Sequence, residues 1–124
     1  MDEKIERIAE KVVRVANDFY HQETSIYTLL QESGYFESYD HIGGSEIIVA
    51  LKNHPDLIND WLRYSEDQRS SPCWYFRKCD GENYSVGHYP ETPEFGEIDF
   101  KNKFEACAAF VRKFIESVRS KYES

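Results

Sequence analysis

Two aromatic-rich runs that flank an Asp-Gly step constrain the fold of this chain more than any other feature. The runs are Cys73–Cys79 and Tyr84–Tyr89, and the residues DGEN lie between them. Asp-Gly between such runs is a strong signal for a β-hairpin, because glycine readily adopts the positive φ angles of tight turns. The segment is therefore predicted to form a hairpin.

Strand geometry predicts which side chains share a face of this hairpin. Successive side chains alternate between the two faces of a strand. One face of the first strand carries Cys73, Tyr75, Arg77 and Cys79, and the other carries Trp74, Phe76 and Lys78. A turn of two or four residues puts Tyr84, Val86 and His88 with the first set, whereas a three-residue turn puts them with the second. The sequence leaves these alternatives open.

The same segment also suggests a metal or redox centre, because it holds Cys73, Cys79 and His88. On one strand the two cysteines lie roughly 20 Å apart, at ~3.3 Å per residue. A disulfide needs Cα atoms within about 7 Å, and zinc–sulfur bonds are only ~2.3 Å long. Cys73 and His88 can still meet across the hairpin, but two ligands do not make a structural zinc site. We therefore expect no disulfide, no metal and no other cofactor here.

Helical periodicity predicts most of the N-terminal half. Apolar residues recur every three or four positions over residues 2–20, which predicts one amphipathic helix. A second helix is predicted from a cap at Thr24 or Ser25 to Gly34, because glycine suits the left-handed position after a last turn. The aromatic and acidic stretch over residues 35–44 is predicted to be a loop.

Two helices are predicted before the hairpin, and a strand and a helix after it. Ser45 is the expected cap of the third helix, and Pro55 suits the first turn of the fourth because it cannot continue the third. The expected buried stripe of the fourth helix is Leu57, Ile58, Trp61, Leu62 and Ser65. A short strand is predicted near residues 95–100 and a closing helix over 101–122. The closing helix is expected to bury Phe104, Cys107, Ala108, Phe110, Val111, Phe114, Ile115 and Val118, and so to pack on two sides.

This order of elements predicts the α+β class. Several N-terminal helices precede a small antiparallel sheet of about three strands, made of a hairpin near 73–89 and a strand near 95–100, and a C-terminal helix follows. A chain of 124 residues is long enough for one modest core. We therefore expect residues 1–124 to form a single globular domain.

Composition bounds the location and the class of partner. The net charge of −8 argues against direct nucleic-acid binding, which depends on Lys and Arg that neutralise phosphates. No run approaches the ~20 apolar residues of a membrane span, and the N-terminus lacks the apolar core of a signal peptide. Three scattered cysteines fit reduced thiols better than a disulfide framework. We expect a cytoplasmic protein with no membrane contact.

Acidic residues are concentrated in one part of the chain. Residues 80–99 contain six acids and no Lys or Arg, whereas residues 100–124 contain six basic residues and three acidic ones. Such a segment can simply keep the protein soluble. It can also form a docking face for a basic partner, because opposite charge raises the encounter rate.

The positive case for catalysis is weak. Cys107 falls on the apolar stripe of the closing helix and is expected to be a core residue. Asp40 and His41 are an alternative acid–base pair, although adjacent loop residues need not face each other. The chain contains no phosphate loop, no nucleotide-binding glycine pattern and no Gly-x-Ser-x-Gly motif.

A surface that binds protein is the favoured interpretation, because nine tyrosines are many for this length. Tyrosine offers a large contact area at low entropic cost and is enriched in interfaces. The expected partner-binding residues come from the 35–40 stretch and the acidic segment. They are Tyr35, Glu37, Tyr39, Asp40, Asp80, Glu82, Glu91, Glu94, Glu97 and Asp99.

Two stretches, WLRYSEDQRSSPCWYF (residues 61–76) and FEACAAFVRKFIES (residues 104–117), give roughly the C-terminal half a resemblance to a known class. They resemble small bacterial immunity proteins of polymorphic-toxin and contact-dependent growth-inhibition systems. The resemblance implies a cytoplasmic, non-enzymatic protein that neutralises one cognate toxin domain, such as a basic nuclease, by tight binding. A small enzyme of unrecognised type and a regulatory or structural binding module, dimeric through a sheet edge, are the alternatives.

Overall fold

The computed structural model describes residues 3–67, 73–89 and 96–123, and confirms the α+β class with a C-terminal helix. The described helices are α1 Glu3–Val13, α2 Val15–His21, α3 Ile26–Ser33, α4 Tyr35–Ser38, α5 Gly44–Asn53, α6 Leu57–Asp67 and α7 Lys103–Glu123. The strands are β1 Cys73–Lys78, β2 Tyr84–Tyr89 and β3 Ile98–Phe100. None of the helices in these ranges is long and apolar enough to cross a membrane.

The single helix predicted over residues 2–20 is wrong, because the chain turns at Arg14 between α1 and α2. The Val13 carbonyl at the end of α1 accepts a hydrogen bond from the Trp61 indole nitrogen at 2.9 Å. Both α1 and α2 still bury apolar residues, among them Val12 and Val15. The apolar periodicity was therefore informative, but the tertiary contact with Trp61 was not visible in it.

The cap and the end of α3 confirm the sequence prediction. The Ser25 hydroxyl accepts a hydrogen bond from the Thr28 amide at 3.1 Å, and Gly34 has a φ of 89°. The loop predicted over residues 35–44 is wrong, since α4 and a 3-10 turn over Tyr39–His41 occupy it. The short helix α4 buries Tyr35 and packs Phe36 against the core, whereas Tyr39 stays exposed.

The start of α5 differs from the prediction by two residues. Gly43, rather than Ser45, is its N-cap, and the Gly43 amide donates to Glu46 Oε1 at 2.7 Å. His54 borders the end of α5, and its Nε2 lies 2.5 Å from Glu10 Oε2 on α1. Pro55 lies in the turn that leads into α6.

Aromatic residues from α6, α7 and the sheet meet in the core. Trp61 is fully buried, and its ring packs edge-to-face on Phe110 and Phe114 of α7. Phe76 of β1 stacks on Phe110 at 5.7 Å. Helix α7 contacts α5, α6 and all three strands, which confirms that it packs on more than one side.

The strands form an antiparallel sheet in the order β1-β2-β3. The Cys79 amide donates to the Asn83 carbonyl at 2.8 Å, which leaves a three-residue turn with Gly81 at a φ of 65°. The three-residue alternative is therefore the correct one. Because Trp74 pairs with His88 in this register, His88 and Cys73 lie on opposite faces of the sheet and cannot bind the same metal ion.

Helix α6 covers part of the outer edge of β1. The Phe76 amide donates to the Ser65 hydroxyl at 2.7 Å, and Ser65 is itself buried. An unpaired edge strand is a template for pairing with another chain, and a helix laid against it blocks that pairing. Dimerisation through the β1 edge would first have to break this bond.

Candidate functional site

The face of the sheet opposite α7 carries a preformed polar cluster of Tyr75, Arg77 and Glu97. The Tyr75 hydroxyl donates a hydrogen bond to Glu97 Oε2. An Arg77 guanidinium nitrogen donates to the same oxygen at 2.8 Å. The Glu97 carboxylate beside it raises the pKa of Arg77. The three side chains are thus joined through one carboxylate oxygen while they lie at the protein surface.

Gly87 makes this arrangement possible. It pairs with Tyr75 across the hairpin, and the tyrosine ring lies over it. A Cβ at position 87 would stand 2.3 Å from the Tyr75 hydroxyl oxygen, closer than any real contact. Absence of a side chain at Gly87 therefore lets Tyr75 lie across the strand and reach Glu97. Glycine in a strand interior typically marks such a close approach.

Gly87→Ala is expected to displace the Tyr75 ring and to break its hydrogen bond to Glu97. Loss of this bond should lower the free energy of unfolding by about 1 kcal/mol, since the ring can rotate away from the new methyl group. Chemical denaturation measures the stability, and the NMR ring shifts of Tyr75 report its position.

Gly96→Ala is the matched control, because a Cβ there meets no atom within 4 Å. It should change stability by less than ~0.5 kcal/mol. Unmoved Tyr75 resonances in Gly87→Ala would contradict the role assigned to Gly87.

A second polar contact lies on the same face of the sheet. The Ser85 hydroxyl donates to Asp99 Oδ1 at 2.7 Å, and Cys79 Sγ lies 3.1 Å from the same hydroxyl oxygen. This trio does not form a nucleophile–base pair with histidine, because His88 lies on the other face against Trp74. The contact instead holds β3 on β2 and fixes the position of the Asp99 carboxylate.

The hairpin turn carries two further acids, one of which, Glu82, lines a cleft with Lys78 and Lys101. Asp80 and Glu82 are exposed in the turn that joins β1 and β2. Glu91 and Glu94, also expected to bind a partner, lie outside the described residues. We name the described group the sheet-face patch; it consists of Tyr75, Arg77, Asp80, Glu82, Glu97 and Asp99. Four of these are acids and one is basic, so the patch is negatively charged.

Tyr35, expected to contact a partner, is instead a core residue with 1% of its surface exposed. Its hydroxyl donates to Glu116 Oε2, and burial raises its pKa far above the usual range. Arg119 also donates two hydrogen bonds to Glu116, at 2.7 and 3.1 Å, and these bonds lower the pKa of that carboxyl. Tyr35 therefore helps to fasten α4 to α7.

The other predicted residues of this stretch lie at the surface. Glu37 and Asp40 are exposed, and Tyr39 is 40% exposed with the Arg119 guanidinium 3.7 Å from its ring centre. His41 Nε2 lies 3.8 Å from Asp40 Oδ1, and both side chains are 67% exposed. Such an open pair lacks the enclosed setting that gives acid–base catalysis its strength. We name Glu37, Tyr39 and Asp40 the α4 patch.

The structure does not bring the sheet-face patch and the α4 patch together. Tyr39 lies against Arg119, near the end of α7. The hairpin turn lies at the start of α7, where Glu82 and Phe104 line one surface cleft. About 22 Å of helix separates these positions, at ~1.5 Å per residue. The single docking face that was expected to combine them is therefore two separate surfaces.

Reactive groups elsewhere in the molecule have structural explanations. Cys107 is fully buried on α7, and burial raises the pKa of its thiol well above the usual value. This setting fits the core role predicted for it and disfavours a thiolate nucleophile. Within residues 3–67, 73–89 and 96–123, no group of three or more His, Cys, Asp or Glu side chains is placed to hold a metal ion.

Tyr75 and Arg77 were not among the predicted partner-binding residues. The available signal was the alternation that puts them on one face of β1, together with Gly87 in the opposing strand. That signal becomes specific only with the register, because the turn length decides whether Tyr75 opposes a glycine.

Comparisons with protein-family models, curated proteins and solved structures found no match for this chain.

Proposed function

We propose that this protein is an immunity protein that binds and neutralises a basic bacterial toxin domain through the sheet-face patch. The observation that carries the proposal is the preformed cluster of Tyr75, Arg77 and Glu97 on an exposed sheet face. Asp99 adds a second carboxylate on the same face of the sheet, and Asp80 and Glu82 are exposed in the turn that joins β1 and β2.

The chemistry of the sheet-face patch suits recognition of a protein. Tyrosine and arginine are enriched among the residues that dominate binding energies. Tyr75 is held by Gly87 and Glu97 before any partner arrives, so binding loses less side-chain entropy. A cluster of acids also steers a basic partner toward this face, because complementary potentials raise association rates.

Expression of the neighbouring reading frame tests the proposal. We expect that frame to encode a toxin module that arrests growth alone and is tolerated when this protein is co-expressed.

The association rate of the purified pair should fall steeply as salt increases from about 50 to ~500 mM, because screening shortens the range of the steering field. A neighbour that is harmless alone, or a toxin that kills despite co-expression, would contradict the proposal.

A further inference from the structure

Only one of the two carboxylate oxygens of Glu97 accepts hydrogen bonds from the described residues around it. The Tyr75 hydroxyl and the Arg77 guanidinium both donate to Oε2, and Oε1 accepts no hydrogen bond from the described residues. An ionised carboxylate can accept on both oxygens, and a guanidinium can donate to both at once through two parallel bonds. As far as the described residues show, the site therefore retains one carboxylate oxygen for a bidentate partner.

Arg77 is weakly attached to this carboxylate. Within the described parts of the chain it makes one hydrogen bond to Glu97, and its side chain is 59% exposed. Its guanidinium also lies 5.5 Å from the Tyr75 ring centre, near the outer limit of a cation–π contact. Exposed ion pairs typically shift an equilibrium by less than about fivefold. Removal of Arg77 from Glu97 therefore costs little, whereas Tyr75 continues to orient the carboxylate.

We propose that Glu97 is the anchoring carboxylate for an arginine of the basic partner, and that Arg77 occupies its place in the free protein. The inference rests on the proposed function, because it names the chemistry by which the sheet-face patch recognises its partner. The incoming guanidinium engages Oε1 and Oε2 together, and Arg77 moves out toward solvent. A planar fork fits this site better than an ammonium group, which binds as a point charge.

The test is an NMR titration of the intact protein with acetyl-hexa-arginine amide, which follows the backbone amides of Glu97 and its neighbours. Arg77→Ala should bind the peptide roughly two- to fivefold more tightly at this site, because the internal competitor is gone. Arg7→Ala is the matched control, since Arg7 is also an exposed arginine and pairs with Glu3 at 4.0 Å. Each of the two substitutions removes one positive charge, so both make the same change in net charge.

Glu97→Gln should weaken binding at this site at least ~fivefold, because it removes the carboxylate and keeps the shape. Equal affinities of Arg77→Ala and Arg7→Ala, or weaker binding by Arg77→Ala, would overturn the proposal. Hexalysine that binds at Glu97 as tightly as hexa-arginine would overturn the preference for a guanidinium. Rescue from the neighbouring toxin tests the proposed function separately, so rescue without an Arg77 effect removes this inference alone.

Discussion

Trp61→Ala is expected to lower the free energy of unfolding by about 3–5 kcal/mol, a large part of the stability of a domain this size. Trp61 is fully buried between α1 and α7 and packs on Phe110 and Phe114. Its removal leaves a cavity and also takes the indole N–H away from the Val13 carbonyl. Urea denaturation followed by circular dichroism measures the loss.

Two further variants separate the contributions of Trp61. Trp61→Phe keeps an aromatic ring but loses the bond to Val13, so it should destabilise by about 1–3 kcal/mol. Trp74→Phe is the control at a half-buried tryptophan and should cost less than Trp61→Ala. A free energy of unfolding for Trp61→Ala within about 1 kcal/mol of the wild type would contradict the central place of Trp61 in the core.

Glu97→Lys is expected to weaken binding to the proposed toxin by about 100-fold or more. The substitution removes an acceptor that is already oriented and places a cation opposite a basic surface, and like charges at an interface cost several kcal/mol. The free energy of unfolding should fall by only about 1–2 kcal/mol, because the substitution removes the hydrogen bond from Tyr75 and a surface ion pair with Arg77. Isothermal titration calorimetry with the purified toxin measures the affinity.

Glu37→Lys is the matched control for Glu97→Lys. It makes the same change in net charge on the α4 patch, which lies at the other end of α7 from the hairpin turn. Its affinity for the toxin should stay within about threefold of the wild type, through long-range charge alone. A loss as large as that of Glu97→Lys would mean that net charge, rather than the sheet-face patch, governs binding.

The order of elements was readable from the sequence wherever local chemistry decides it. The Asp-Gly step predicted the hairpin, and Gly34 predicted the end of α3, because both positions need a backbone conformation that glycine adopts easily. The stripes of α6 and α7 followed from helical periodicity. The break at Arg14 was not readable, because the hydrogen bond that the Val13 carbonyl accepts beside it comes from Trp61, which is distant in the chain.

The site was only partly readable for the same reason. The acids of the hairpin and β3 were recognised by composition, but the cluster of Tyr75, Arg77 and Glu97 exists only when β1, β2 and β3 are in register. Tyr35 was misjudged because its hydroxyl bonds to Glu116, 81 residues away. Pairings over such distances leave no local pattern in one sequence.

Growth of cells that express the toxin together with either Glu97→Lys or Glu37→Lys tests the sheet-face patch most directly. Both variants must first be shown to fold and to accumulate like the wild type. We expect Glu37→Lys to protect the cells as the wild type does, and Glu97→Lys to leave them arrested. Full protection by Glu97→Lys, or loss of protection only with Glu37→Lys, would contradict the assignment of the docking surface to the sheet face.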